Sequence, residues 1–145
     1  MTESGFDLGL GDPARAGIFF VTGEDLGMLA AAAHDAGLLP CPIDLMGCGN
    51  KPTLLLRIAV AMDFPTTSSR NWDALSDSLR DLNWMPADGY VLLFDGAGEL
   101  HHADEEGFDT LVSILDEANT AWAARGVPFW AFLALRERDF VELED

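Results

Sequence analysis

Two aspartates one helical turn apart carry the clearest chemical signal in the chain. The stretch Arg70-Asn71-Trp72-Asp73-Ala74-Leu75-Ser76-Asp77-Ser78-Leu79-Arg80-Asp81 reads as a helix, with Trp72, Leu75, Leu79 and Leu82 on one apolar stripe. Asp73 and Asp77 then share the outer side as an i, i+4 pair of like charges. Such a pair costs a helix about 0.2–0.5 kcal/mol, and aspartate is a poor residue for a helix interior. Asp73 lies in the first turn, where the helix dipole favours an anion; Asp77 does not. Folding alone does not require both carboxylates here. They are candidate anions for a partner, set against the plainer reading of a solvated acidic face.

The other reactive residue types make no catalytic set. The chain has no G-x-x-x-x-G-K-[ST], G-x-S-x-G or H-E-x-x-H motif. Gly96-Ala97-Gly98 follows an apolar run, where a dinucleotide loop would begin, but the third glycine is missing and the next residues are acidic, so a plain turn is expected. His101 and His102 are adjacent, close to Asp104 and Glu105; neighbouring side chains in a loop rarely converge on one metal, and solvated loop histidines are expected. Cys41 and Cys48 lack zinc-type spacing and are read as buried free thiols. No catalytic residue, metal or cofactor is assigned. An enzyme using residues 96–106 stays as a weak alternative.

Charge bounds the partners. Against 25 Asp and Glu stand 8 Lys and Arg, a net charge of −17 over 145 residues. Nucleic-acid binding relies on Lys and Arg to neutralise phosphates, so no nucleic-acid partner is expected; an anionic membrane surface is disfavoured on the same ground. A basic partner is the natural inference, unless the acidity serves solubility alone. No apolar run reaches the roughly 18 residues of a membrane span. Residues 1–12 hold three acids and no Lys or Arg, unlike a secretory signal, and two cysteines are too few for a secreted disulfide scaffold. A cytoplasmic location is expected.

The elements that must position these residues alternate. Residues 1–16 read as a mobile leader. The apolar run 18–21 suits a strand buried on both faces, and 24–36 a helix ended by Gly37. Pro40 and Pro42 punctuate the chain. Residues 43–46 read as a strand, Asn50 as an N-cap and 51–64 as a helix stopped by Pro65. Ile18 with Ile43, and Pro40 with Pro65, recur at a spacing of 25 residues, as two ordinary βα units or an old duplication. The acidic helix covers 71–82. A strand follows at 90–94, a loop at 95–103, and a long helix at 104–125 with Phe108, Leu111, Val112, Leu115, Ala118 and Trp122 on one stripe. A strand at 127–135 precedes a polar end where Phe140, Val141 and Leu143 could add a short strand. Buried strands separated by helices define an α/β fold with a mainly parallel sheet flanked by helices.

Asn71-Trp72-Asp73-Ala74-Leu75-Ser76-Asp77 resembles the Asn-Leu-Asp-Ala-Leu-Trp-Asp helix of the barstar family of ribonuclease inhibitors, and the order of elements over residues 41–135 agrees. The resemblance implies a barstar-like domain at 41–145 with an extra N-terminal βα unit at 17–40, together one compact unit. It implies an intracellular, immunity-type inhibitor, not an enzyme, that plugs a basic ribonuclease, barnase-like or divergent, with carboxylates in place of RNA phosphates. The partner-binding residues it implies are Asp73 and Asp77 at the centre, Asn71, Arg70 and Ser76 beside them, and Glu117 on the last helix. The sequence also departs from the family. Thr67, Ser68, Ser69 and Arg70 stand where the family has aromatic residues, a glycine and an acid, and Ser76 replaces the aromatic between the two aspartates. Trp72 and Trp84 are left as aromatic anchors. The alternative is a barstar-fold binding module without nuclease inhibition. The helix at 51–64 is apolar nearly all round, so the N-terminal unit is expected either to cover it or to add a strand at the sheet edge.

Overall fold

A computed structural model describes residues 9–65 and 71–136. Its centre is a pair of strands without a polar interior residue, β3 (Tyr90–Asp95) and β4 (Phe129–Ala134). Only a strand covered on both faces can be apolar throughout. Both are flanked by further strands, β1 (Ile18–Val21) beside β4 and β2 (Leu39–Asp44) beside β3, giving a parallel sheet of order β1-β4-β3-β2. Tyr90 pairs with Phe129 and Phe94 with Leu133, so alternate residues of the two central strands feed two cores.

The larger core takes Tyr90, Leu92, Phe94, Phe129, Ala131 and Leu133. It is covered by α2 (Lys51–Ala61), α3 (Trp72–Asp81), α4 (Ala97–Ala103) and α5 (Glu105–Ala123). The smaller core takes Val91, Leu93, Trp130 and Phe132 and is covered by α1 (Leu26–Asp35), which a 3-10 turn at Gly23–Asp25 introduces. This is the α/β fold expected, with the N-terminal βα unit added to it. Asn50 caps α2 by accepting from the Thr53 amide at 2.9 Å, and Gly37 takes the left-handed conformation beyond α1 (φ 79°). Both cysteines are buried free thiols.

Several expectations change. β1 is not buried on both faces: it is an edge strand, and Phe19 and Phe20 remain 43% and 37% exposed. Pro40 and Pro42 do not punctuate the chain but lie inside β2, which starts at Leu39. Because β2 is the other edge, residues without an amide proton are tolerated there. The expected loop at 95–103 contains α4, which buries His101 against the Phe108 ring at 4.9 Å between centroids and leaves its Nδ1 without a hydrogen-bond partner. Thus His101 is not a solvated loop histidine. The N-terminal unit does not cover α2. It adds the edge strand and places α1 on the opposite face, so α2 keeps Leu56 and Val60 exposed.

The mobile leader does not extend through residue 16. Leu10 is buried, and the Trp130 indole donates to its carbonyl at 2.8 Å, because the face of β4 that carries Trp130 needs more cover than α1 supplies. The first eight residues lie outside the described residues, as do the loop at 66–69, Arg70, and the short strand expected around Phe140.

Candidate functional site: the α3–α5 acidic cleft

Helix α3 is fixed at both ends. At its start the Asn71 side chain accepts from the Ala74 amide at 2.7 Å, satisfying one of the amides a helix leaves unpaired. At its end two side chains of the α5 region take the orphan carbonyls. The Trp122 indole donates to Leu79 O at 2.8 Å and Arg125 Nη2 to Arg80 O at 2.7 Å, with the Arg125 guanidinium 4.2 Å from the Trp122 ring. Leu75, Leu79 and Leu82 are buried and Trp72 is half-buried, so the expected stripe faces the core and Asp73 and Asp77 face outward.

Between α3 and α5 lies an open cleft of about 620 Å³. Five carboxylates line it, Asp73 from α3 and Glu105, Glu106, Asp109 and Glu117 from α5, and among the described residues no Lys or Arg does. Trp72 and Ile114 supply apolar surface and Ser76 a hydroxyl. An apolar floor with an anionic rim suits a long cationic side chain, whose stem and head have these two demands.

Of the six site residues expected from sequence, the cleft brings together Asp73, Ser76 and Glu117. Asn71 is occupied as the cap. Arg70 lies outside the described residues. Asp77 stands one turn further on and does not line the cleft; Arg80 Nη2 lies 2.6 Å from its Oδ1. The charge on Asp77 therefore has a local counterion at i+3, so its placement is less unfavourable than the like-charge pair alone suggests. Trp84 is half-buried, like Trp72, but does not line the cleft. It packs edge-on against Phe64 and donates to Met62 O at 3.0 Å. Trp72 lines the cleft, and Lys51 Nζ sits 5.4 Å over its ring.

Sequence reasoning missed Glu105, Glu106, Asp109 and the Arg80 pair. Their signals were present: residues 105, 109, 113 and 117 recur every four positions on one face of α5, and Arg80 follows Asp77 at i+3. No group of three or more His, Cys, Asp or Glu able to hold a metal occurs among the described residues. Nor is any described helix long and apolar enough to cross a membrane.

No curated protein and no solved structure matches the chain. The model of one family does, over residues 39–134: Barstar (barnase inhibitor). Its start coincides with Leu39, the first residue of β2, two residues before the boundary expected from sequence, and leaves the β1–α1 unit outside. The family consists of inhibitors without catalytic activity, which removes the reading of residues 96–106 as a catalytic loop. The match spans most of the sheet and all the helices that form the cleft, and on it the chain belongs to the barstar family of barnase inhibitors.

Proposed function

We propose that this chain inhibits a barnase-like ribonuclease by laying α3 and the α3–α5 cleft over the basic active site. The carboxylates of Asp73, Asp77 and Glu117 then occupy positions that RNA phosphates would take. The observation that carries this reading is the cleft itself: five carboxylates, one on α3 and four on α5, with no basic side chain lining it among the described residues, beside a helix α3 pinned at both ends. Pre-organised charge costs little to order on binding. Asn71 acts through the helix it caps, and Ser76 supplies a hydroxyl in place of an aromatic anchor, with Trp72 as the aromatic surface. Arg70 precedes the cap in the chain and is kept among the partner-binding residues on the family resemblance alone. The partner is a basic nuclease, met in the cytoplasm in an immunity role; nucleic acid and membrane are not partners of so acidic a surface.

The test is calorimetric titration with barnase beside an RNA-cleavage assay. Wild-type protein is expected to bind one-to-one and suppress cleavage. Asp73→Ala combined with Glu117→Ala is expected to weaken binding by about a hundredfold or more, since desolvated charge pairs in an interface of this type reach several kcal/mol, a magnitude known from barnase and barstar themselves. Equal binding by the double variant rejects the cleft. The replacement of the family's aromatic by Ser76 favours the second reading, a binding module that no longer inhibits nucleases. That reading takes over if wild-type protein neither binds nor suppresses barnase and its relatives.

A further inference from the structure

Among the described residues of this −17 chain, three basic side chains bring their charge to α3: Lys51 over Trp72, Arg125 on Arg80 O, and Arg80 on Asp77. Arg80 is held at two points. Its Nη2 contacts Asp77 Oδ1 at 2.6 Å, and its Nε donates to Ser76 O at 3.2 Å. The guanidinium thus lies along the outer side of the helix rather than extending into water. Both partners of the ion pair are exposed, so folding gains little from it. Its effect falls on whatever approaches Asp77.

We propose that Arg80 is a built-in competitor for Asp77: a counterion that occupies the carboxylate in the free protein and limits how tightly a basic partner can bind there. The inference rests on the reading of α3 as the inhibitory helix. A nuclease cation reaching Asp77 must either displace the Arg80 bond to Oδ1 or share the carboxylate with it, and in both cases it tolerates a like charge close by. Like charges brought together in an interface are unfavourable. The competitor also sets a preference. A guanidinium can replace Arg80 with two parallel N–H bonds to the carboxylate, whereas an ammonium offers a point charge.

The experiment uses the full chain, barnase as probe, and three variants. Arg80→Gln is expected to bind barnase about tenfold tighter or more, a change of about 1.4 kcal/mol, with a steeper salt dependence of association. Arg80→Lys, which keeps the charge, is expected to stay near wild type. Removing the prize along with the competitor, in Asp77→Asn/Arg80→Gln, is expected to abolish the gain. Urea melting checks that each variant folds like wild type. If wild-type protein binds and Arg80→Gln binds equally or more weakly, Arg80 is inert or contacts the nuclease directly, and this inference alone is overturned. If neither wild type nor Arg80→Gln binds, the inhibitory reading is rejected and takes this one with it.

Discussion

At Asp77 two small electrostatic effects oppose each other. Repulsion from Asp73 costs about 0.2–0.5 kcal/mol, and the exposed pair with Arg80 returns about 0.3–0.5 kcal/mol. Asp77→Ala is therefore expected to leave the stability of the free protein within about 0.5 kcal/mol of wild type, as measured by urea melting. The same change is expected to weaken barnase binding by about 2 kcal/mol or more if the carboxylate is desolvated in the complex. Unfolding of the variant, or wild-type affinity, would make the acidic pair structural or incidental. The pair itself was legible from i, i+4 spacing; its neutralisation by Arg80 depends on a side-chain conformation that spacing permits but does not dictate. A second residue-scale prediction concerns Cys41. Burial pushes its thiol from 9.0 up to about 11, and burial raises Cys48 as well. The unfolded chain therefore loses these protons first as pH rises. The stability Cys41 contributes in this way is complete below pH 9.0 and is lost as pH climbs through about 11. Denaturant midpoints should fall across that window, and Cys41→Ala should flatten the fall.

Among the elements, α3 depends most on contacts that its own sequence does not reveal. Its cap and apolar stripe are local, so its position could be read directly. The bonds from Trp122 and Arg125 that close its far end come from residues more than 40 positions away. Trp122→Phe keeps an aromatic ring but removes the donor to Leu79 O, and is expected to cost about 1–3 kcal/mol because that carbonyl then loses its buried partner. Thermal melting measures the cost; an unchanged midpoint would mean that water satisfies Leu79 O. The same local-versus-distant division explains the misread strands. β3, β4 and α5 announce themselves by unbroken apolar runs or a long stripe. Whether an apolar run such as Ile18–Val21 sits at an edge or in the centre depends on which strand it meets. Pro40 and Pro42 read as breaks because only an edge position accommodates them. α4 is one short turn-rich helix with glycines at its start, and its burial under Phe108 is a tertiary fact.

The molecule as a whole has two cores of unequal size. The family domain at 39–134 contains the larger one except Leu135 and only half of the smaller, because Leu10, Leu29, Ala33 and Leu38 supply the cover for Val91, Leu93, Trp130 and Phe132. Deleting residues 1–38 would bare those side chains, each worth about 1.5–3 kcal/mol when buried. The truncated chain is expected to aggregate or bind a hydrophobic dye, and a soluble, cooperatively melting fragment would show the N-terminal unit to be dispensable. The net charge of −17 acts at this scale too. Association with a basic nuclease is expected to slow as salt rises, since steering is screened over about 10 Å at 0.1 M. A stopped-flow rate independent of salt would exclude it.

The pairing of β1 with β4 also has a consequence for synthesis. Ile18 meets Ala131, 131 − 18 = 113 residues later. At a translation rate of about 5–20 residues per second, Ile-Phe-Phe-Val leaves the ribosome roughly 6–23 s before its partner exists. Until then the nascent chain offers a bare apolar strand to chaperones, and β1 has no neighbour in the sheet. A chain built this way completes its described sheet only when translation has passed Phe129–Ala134.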